Sequence, residues 1–306
     1  MKVIRASVLG YCMGVRRAVD IAYRESRAAA ESLSSGGLPR QVCTLGPLIH
    51  NPQVLEDLGA LGARVLDEAS LPDAMENHII LIRAHGVRPQ AEAALIARGA
   101  RIVDATCPKV KANQMKARQL SREGYQIFLA GERRHGEIIG IQGYAPSCVI
   151  VAGPGEAEQA AARLRAGWEA AKNAFSSGKG PAKIALIGQT TLSAEEYRAI
   201  GEGIGKYFPQ VERINTICQA TAERQEALAA LCGQVAAVVV AGGRESANTR
   251  RLRDIAEGRG KAAWLAESPE DIPPEIRAYR VIGLSAGAST PSRIIDAIEE
   301  RLLRME

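Results

Sequence analysis

Three cysteines stand where a short apolar stretch gives way to a helical pattern. Cys12 follows Val8-Leu9-Gly10-Tyr11, Cys107 follows Val103-Asp104-Ala105-Thr106, and Cys218 follows Ile214-Asn215-Thr216-Ile217. Pro108 comes directly after Cys107, at the position a helix tolerates best for proline, its first. A cysteine at such a corner lies at a helix N-terminus, where backbone N–H groups and the helix dipole favour the thiolate. Three thiolates can hold a metal. Zinc would take a fourth protein ligand, which a histidine could supply. A [4Fe–4S] cluster on three cysteines leaves one iron open to bind and activate a substrate oxygen. The spacing alone does not choose between the two.

Other polar residues sit at equivalent corners. Of the four histidines, His50, His85 and His135 do so, whereas His78 opens a strand and is read as structural. The remaining corners carry Gln189-Thr190-Thr191, Ser246-Ala247-Asn248 and Ser289-Thr290-Pro291. His50, His85, His135, Thr190, Ser246, Asn248 and Ser289 form a set of neutral donors suited to a diphosphate. Each Ser, Thr or Asn is also an ordinary helix N-cap, and a cap facing a cavity can serve both ends. Glu137 is the acid placed beside a corner histidine. Among helix N-termini it can deliver protons, or it can simply be a favourable first-turn glutamate. Ser193, with Glu196 three residues on, reads as a capping box.

Short apolar strands alternate with longer helical patterns through the 306 residues, the signature of an α/β fold with mostly parallel sheets. In such folds ligands gather at the C-terminal ends of strands. The chain parses into three segments of three corners, and a cysteine opens each: residues 1–100, 101–210 and 211–306. This predicts three similar α/β lobes around a pseudo-threefold axis, with helix N-termini forming an anion-attracting pocket. Helices are expected from Pro52, from Pro89, over residues 156–174 and over residues 292–305, with a flexible insertion at residues 176–180. Composition narrows the function. At 46% hydrophobic and 24% charged residues the chain can bury a core, and no apolar run reaches membrane-spanning length. The N-terminus lacks the apolar region of a secretory signal, so a cytoplasmic location is expected. Six cysteines without a C-x-x-C spacing make no disulfide scaffold, and Cys43, Cys148 and Cys232 are read as core. A net charge of +5 with 4% aromatic residues argues against nucleic acid as a partner and suits an anionic substrate or an acidic protein.

The motifs Gly10-Tyr-Cys12-Met-Gly-Val-Arg-Arg-Ala, Leu48-Ile-His50-Asn-Pro, Arg83-Ala-His85-Gly-Val, Asp104-Ala-Thr-Cys107-Pro, His135-Gly-Glu137, Gln189-Thr-Thr191-Leu-Ser, Asn215-Thr-Ile-Cys218-Gln-Ala-Thr, Ser246-Ala-Asn248-Thr and Ala286-Gly-Ala-Ser289 together resemble the LytB/IspH family. These are the 4-hydroxy-3-methylbut-2-enyl diphosphate reductases of the non-mevalonate isoprenoid pathway. The resemblance implies a trefoil of three α/β lobes around one [4Fe–4S] cluster, with Cys12, Cys107 and Cys218 as ligands and an open apical iron. It implies diphosphate binding by His50, His85, His135, Ser246, Asn248 and Ser289, with Thr191 and Ala247 beside them. It assigns the leaving hydroxyl to Thr190 and Glu137, with His135 expected to be catalytic as well as diphosphate-binding. The family's reaction is a two-electron, two-proton reductive dehydroxylation, fed by a ferredoxin or flavodoxin; a monomer is expected. Ala247 lies where many members have a second serine, and Glu132-Arg133 departs from the usual loop before His135. The alternative class is an iron–sulfur or zinc protein that senses an anionic metabolite without turnover, which would need neither Glu137 nor Thr190.

Overall fold

A computed structural model describes residues 1–174 and 183–305; the insertion expected at 176–180 lies outside the described residues. The chain forms two compact units. One comprises Met1–Ala84, Leu95–Cys107 and Gln219–Glu306, the other His85–Ala94 and Pro108–Cys218.

The first unit holds two four-stranded sheets. Strands β1 (Lys2–Arg5), β10 (Ala237–Ala241), β11 (Ala262–Ala266) and β12 (Val281–Ala286) run in the order β1-β12-β10-β11. Strands β2 (Gln41–Leu45), β3 (Arg64–Leu66), β4 (His78–Ile82) and β5 (Arg101–Asp104) run in the order β3-β2-β4-β5. The second unit holds β6 (Gln126–Ala130), β7 (Val149–Val151), β8 (Ile184–Gly188) and β9 (Glu212–Arg213), ordered β7-β6-β8-β9. Every strand pair is parallel.

The central strands are continuous apolar runs because helices cover both faces, as parallel sheets require. In β10, Val239 packs with Leu284, Ile294 and Ile298 on one side. Val238 and Val240 pack with Leu228, Leu231 and Leu252 on the other. The second unit repeats this: Phe128 and Leu186 face Ile200, Ile204 and Phe208, while Ile127, Leu129 and Ile187 face Leu120, Ile138 and Ile141.

All three sheets share one topology, with the strand that leads to a cysteine at the edge: β1 before Cys12, β5 before Cys107, β9 before Cys218. This differs from the segments expected from the sequence. Arg101–Asp104 does not open a middle lobe. It pairs with β4, Ile79 opposite Arg101. Glu212–Arg213 pairs with β8, and Lys2–Arg5 pairs with β12 near the other end of the chain. Each cysteine strand closes the preceding sheet, and the helix after the cysteine begins the next set of elements. A cut placed before the strand therefore separates partners that hydrogen-bond.

Each of the nine corners leads into a helix. These are α1 (Met13–Ser34), α2 (Pro52–Ala60), α3 (Pro89–Ala97), α4 (Pro108–Arg122), α5 (Gly136–Tyr144), α7 (Ala194–Gly205), α8 (Gln219–Cys232), α9 (Ala247–Gly258) and α10 (Ser292–Leu303). Another helix, α6 (Pro154–Ala174), covers the second unit's sheet and packs on α7. Among the described residues no helix is long and apolar enough to cross a membrane.

Candidate active site

In the first unit, two of the three corner cysteines meet one helix end. Cys12 is the N-cap of α1, and its Sγ accepts from the backbone N–H of Val15 at 3.5 Å. Cys107 is tied to β4's end through its own N–H, which donates to the carbonyl of Ala84 at 2.9 Å. Its thiol lies against the first turn of α1: a Cβ added to Gly14 would come within 2.3 Å of Cys107 Sγ. Glycine at position 14 is thus what admits the second thiol. The loop before Cys107 is fixed by its own residues. The Thr106 N–H donates to the Asp104 carboxylate at 2.9 Å, and Arg17 of α1 donates to the carbonyls of Thr106 and Asp104, each at 3.2 Å.

The Cys12 loop runs along the segment after β12. The N–H of Cys12 donates to the Ala288 carbonyl at 3.1 Å, one residue before Ser289. Ser289 is buried, and its hydroxyl donates to the His50 carbonyl at 3.3 Å. Gly243 packs on that same carbonyl so closely that a Cβ there would lie 2.3 Å from it. Three residues on, Ser246 caps α9 by accepting from the Thr249 N–H at 3.4 Å. Ala247 is buried at the first position of α9 and brings no polar group. Asn248 is 5% exposed, and neither its Oδ1 nor its Nδ2 has a hydrogen-bond partner. Burying an amide unsatisfied costs about 1–3 kcal/mol, a cost that a polar ligand at this amide would offset. Asn51, after His50, caps α2 through the Val54 N–H at 3.2 Å.

In the second unit the two remaining corner histidines form a pair. The rings of His85 and His135 lie edge to face, 4.9 Å between centroids. His135 caps α5, its Nδ1 accepting from the Glu137 N–H at 3.2 Å. In neutral His135 the proton therefore sits on Nε2, leaving that nitrogen a donor. Glu137 is 1% exposed. Its carboxylate accepts from the Thr190 N–H at 2.9 Å and the Thr190 hydroxyl at 2.7 Å. Asn113 of α4 also bonds the carboxyl. Burial outweighs these three bonds and pushes the carboxyl from 4.5 up to about 7. A group so tuned is half protonated near neutral pH, the range in which a general acid works best. Thr191 is half-buried and accepts from the Gln189 amide at 2.7 Å.

Cys218 closes a loop strapped to the same acid's partner. Its N–H donates to the Thr190 carbonyl at 3.0 Å. Two residues earlier, the Thr216 hydroxyl accepts from the Gly188 N–H at 2.7 Å and donates to the Gly188 carbonyl at 2.8 Å. Of the cysteines read as core, Cys43 and Cys232 are buried and Cys148 is half-buried. Burial raises the thiols of Cys43 and Cys148 to about 11 and that of Cys232 in the same direction, which keeps them protonated.

The sequence reading missed Asn113, Gln114 and Arg224. Each is a polar residue on an otherwise apolar helical stripe: Val110, Asn113, Gln114, Ala117, Leu120 on α4, and Thr221, Arg224, Ala227, Leu228, Leu231 on α8. That interruption of the stripe was the available signal.

The LytB protein family model matches residues 3–303. The chain belongs to the LytB family. Among LytB relatives, the 4-hydroxy-3-methylbut-2-enyl diphosphate reductase of Treponema denticola is 42% identical over 306 residues, 99% of each chain. The enzyme of the same name from Aquifex aeolicus is 36% identical, covering 98% of this chain and 95% of its own. The solved structure of the E-1-hydroxy-2-methyl-but-2-enyl-4-diphosphate reductase from Plasmodium falciparum matches with a TM-score of 0.83 at 25% identity, over 99% of this chain and 88% of that one. A second, described as (E)-4-hydroxy-3-methyl-but-2-enyl diphosphate reductase, the terminal enzyme of the non-mevalonate pathway, matches at 0.63 and 34% identity over 99% of both chains. The LytB enzymes are iron–sulfur oxidoreductases. The donor set here fits such a group: soft thiols at helix N-termini, with a glycine where a Cβ would displace one of them.

Proposed function

We propose that this chain is a 4-hydroxy-3-methylbut-2-enyl diphosphate reductase, acting last in the non-mevalonate pathway. The allylic C–O bond of the substrate breaks, two electrons and two protons enter, and water leaves with isopentenyl or dimethylallyl diphosphate. The observation that carries this reading is Glu137, buried, held by Thr190 and shifted to about 7, in a chain of the LytB family. A sensor that only bound a metabolite would gain nothing from keeping a costly buried carboxyl at the edge of ionisation.

Cys12, Cys107 and Cys218 would hold one [4Fe–4S] cluster, which when bound supplies electrons and a Lewis-acidic iron not ligated by protein. The rest falls to the chain. Hydroxide is a poor leaving group, so a proton must reach it as the bond breaks. Glu137 gives that proton through its carboxyl, and the Thr190 hydroxyl keeps the carboxyl oriented. His50, His85, His135, Ser246, Asn248 and Ser289 bind the diphosphate, with Thr191 and Ala247 adjoining. Remote binding energy of this kind fixes the reacting carbon where it is needed. Ala247 contributes no hydroxyl, so the backbone of α9's first turn and Asn248 carry more of the phosphate binding there. The electrons come one at a time from an acidic carrier, a ferredoxin or flavodoxin, matched to the chain's net charge of +5.

Cys107→Ser tests the ligand assignment directly. The variant is expected to purify anaerobically with little or no iron and sulfide and without turnover. Wild-type iron content and a normal brown absorption from it would remove Cys107 from the ligand set.

A further inference from the structure

Helix α8 begins with the residue after Cys218 and buries Arg224 on its apolar stripe, only 4% exposed. A guanidinium stays charged at any pH a protein meets, and burying it is costly unless its donors are well used. Nε, Nη1 and Nη2 all donate to backbone carbonyls. Nη1 donates to the Ala220 carbonyl at 2.5 Å, one turn back. Nε and Nη2 both donate to a single carbonyl, that of Gly10, at 3.1 and 2.7 Å.

Gly10 lies two residues before Cys12, with φ at +76°, in the left-handed region. A Cβ there would come within 2.9 Å of Ile295 Cδ1 and 3.2 Å of the Thr290 carbonyl. On one side the Cys12 loop is held by backbone alone, with Gly10 N–H to Ala286 at 3.4 Å and Cys12 N–H to Ala288 at 3.1 Å. The other side is held by the fork of Arg224. Two residues of chain span at most about 7 Å, so the cation lies within roughly 10 Å of Cys12. At that distance in a protein interior, charge is weakly screened.

We propose that Arg224 is a positioning residue of the iron–sulfur site: its fork on the Gly10 carbonyl holds the Cys12 loop in ligating geometry, and its charge offsets the negative charge gathered at the cysteines. This rests on the reading that Cys12 is a cluster ligand. Cluster potentials respond to nearby charge and to solvent access, so the proposal separates from a plain structural staple. A staple would change only the stability of the fold.

The test compares anaerobically prepared wild-type holoenzyme with Arg224→Met and Arg224→Lys. Iron and sulfide content, the rate of iron loss to a chelator, the reduction potential by spectroscopic titration and the thermal midpoint are measured on each. Arg224→Met is expected to lose iron several-fold faster and to shift the potential to more negative values. Arg224→Lys retains the charge but not the fork, so its potential should stay near wild type while iron loss remains accelerated. An Arg224→Met protein with wild-type potential and iron-loss rate overturns the proposal, even if its thermal midpoint falls. Should Arg224→Met fail to fold, an Arg224→Lys protein that keeps its iron as long as wild type overturns it. A wild-type protein that holds no iron and sulfide contradicts the cluster reading itself, an outcome distinct from either.

Discussion

At the scale of single residues, the proposed chemistry rests on side chains kept in states that water would not allow. Glu137 is the clearest. Its raised proton affinity means that activity limited by this acid falls as pH rises through about 7. Glu137→Gln is expected to lower turnover by on the order of tenfold to a thousandfold while leaving iron content unchanged. Wild-type turnover from that variant would remove Glu137 from the mechanism. Stability carries the same signature. The folded chain holds a proton that the unfolded chain releases at its ordinary value of 4.5. That contribution is fully present below 4.5 and is lost as pH rises through about 7. The thermal midpoint of Glu137→Gln should therefore fall less than wild type's between about pH 5 and 8, where the buried carboxylate otherwise costs roughly 1–3 kcal/mol. Gly14 gives a steric counterpart. A methyl group at that position lands on Cys107 Sγ, so Gly14→Ala is expected to lose most of its iron while retaining its fold by circular dichroism; full iron content would show that the thiol can move aside. The corner positions of Cys12, Cys107, His50, His135 and Glu137 were legible because each stands at a junction of two hydrophobic periodicities. Asn113 and Arg224 were not, because a lone polar residue within a helical stripe looks the same in sequence whether it is buried or solvated.

At the scale of elements, site residues are placed by the ends of strands and the starts of helices. Three N-cap side chains are also residues of the proposed site: Cys12 on α1, His135 on α5 and Ser246 on α9. One residue therefore ends the loop, satisfies an orphan N–H and presents a functional group. The helix starts could be read from sequence through Pro52, Pro89, Pro108 and the cap at Ser193, whose hydroxyl accepts from the Glu196 N–H at 3.1 Å. The short edge strands could not. Arg64–Leu66, Val149–Val151 and Glu212–Arg213 are two or three residues long and too brief to show a period. Their pairing depends on a neighbour far along the chain. The loop after β9 illustrates how such an edge is secured, through the Thr216 hydroxyl and both backbone groups of Gly188. Thr216→Val keeps the shape but strands the Gly188 N–H. It should cost about 1–3 kcal/mol by denaturant titration and accelerate iron loss through Cys218. An unchanged denaturation midpoint would mean that other contacts secure the loop.

At the scale of the whole molecule, one topology occurs three times, and each time the cysteine strand closes the sheet built by the preceding elements. The N-terminal strand does so for the C-terminal sheet. The fold class and its threefold repetition were legible in the alternation of strands and helices. The segment boundaries were shifted by one strand, because sequence order carries no information on which sheet an edge strand joins. Each cysteine thus follows the strand that closes one sheet and precedes the first helix of the next set of elements, a placement equivalent in all three and consistent with the proposal that they serve one cluster. The most direct test of that claim is a Mössbauer spectrum of anaerobically purified, iron-57-enriched protein, with iron and sulfide analysis, before and after addition of the diphosphate substrate. The account predicts four irons and four sulfides per chain, with one iron distinct from the other three and altered by substrate. A single zinc per chain, or irons that are all alike and indifferent to substrate, would contradict it.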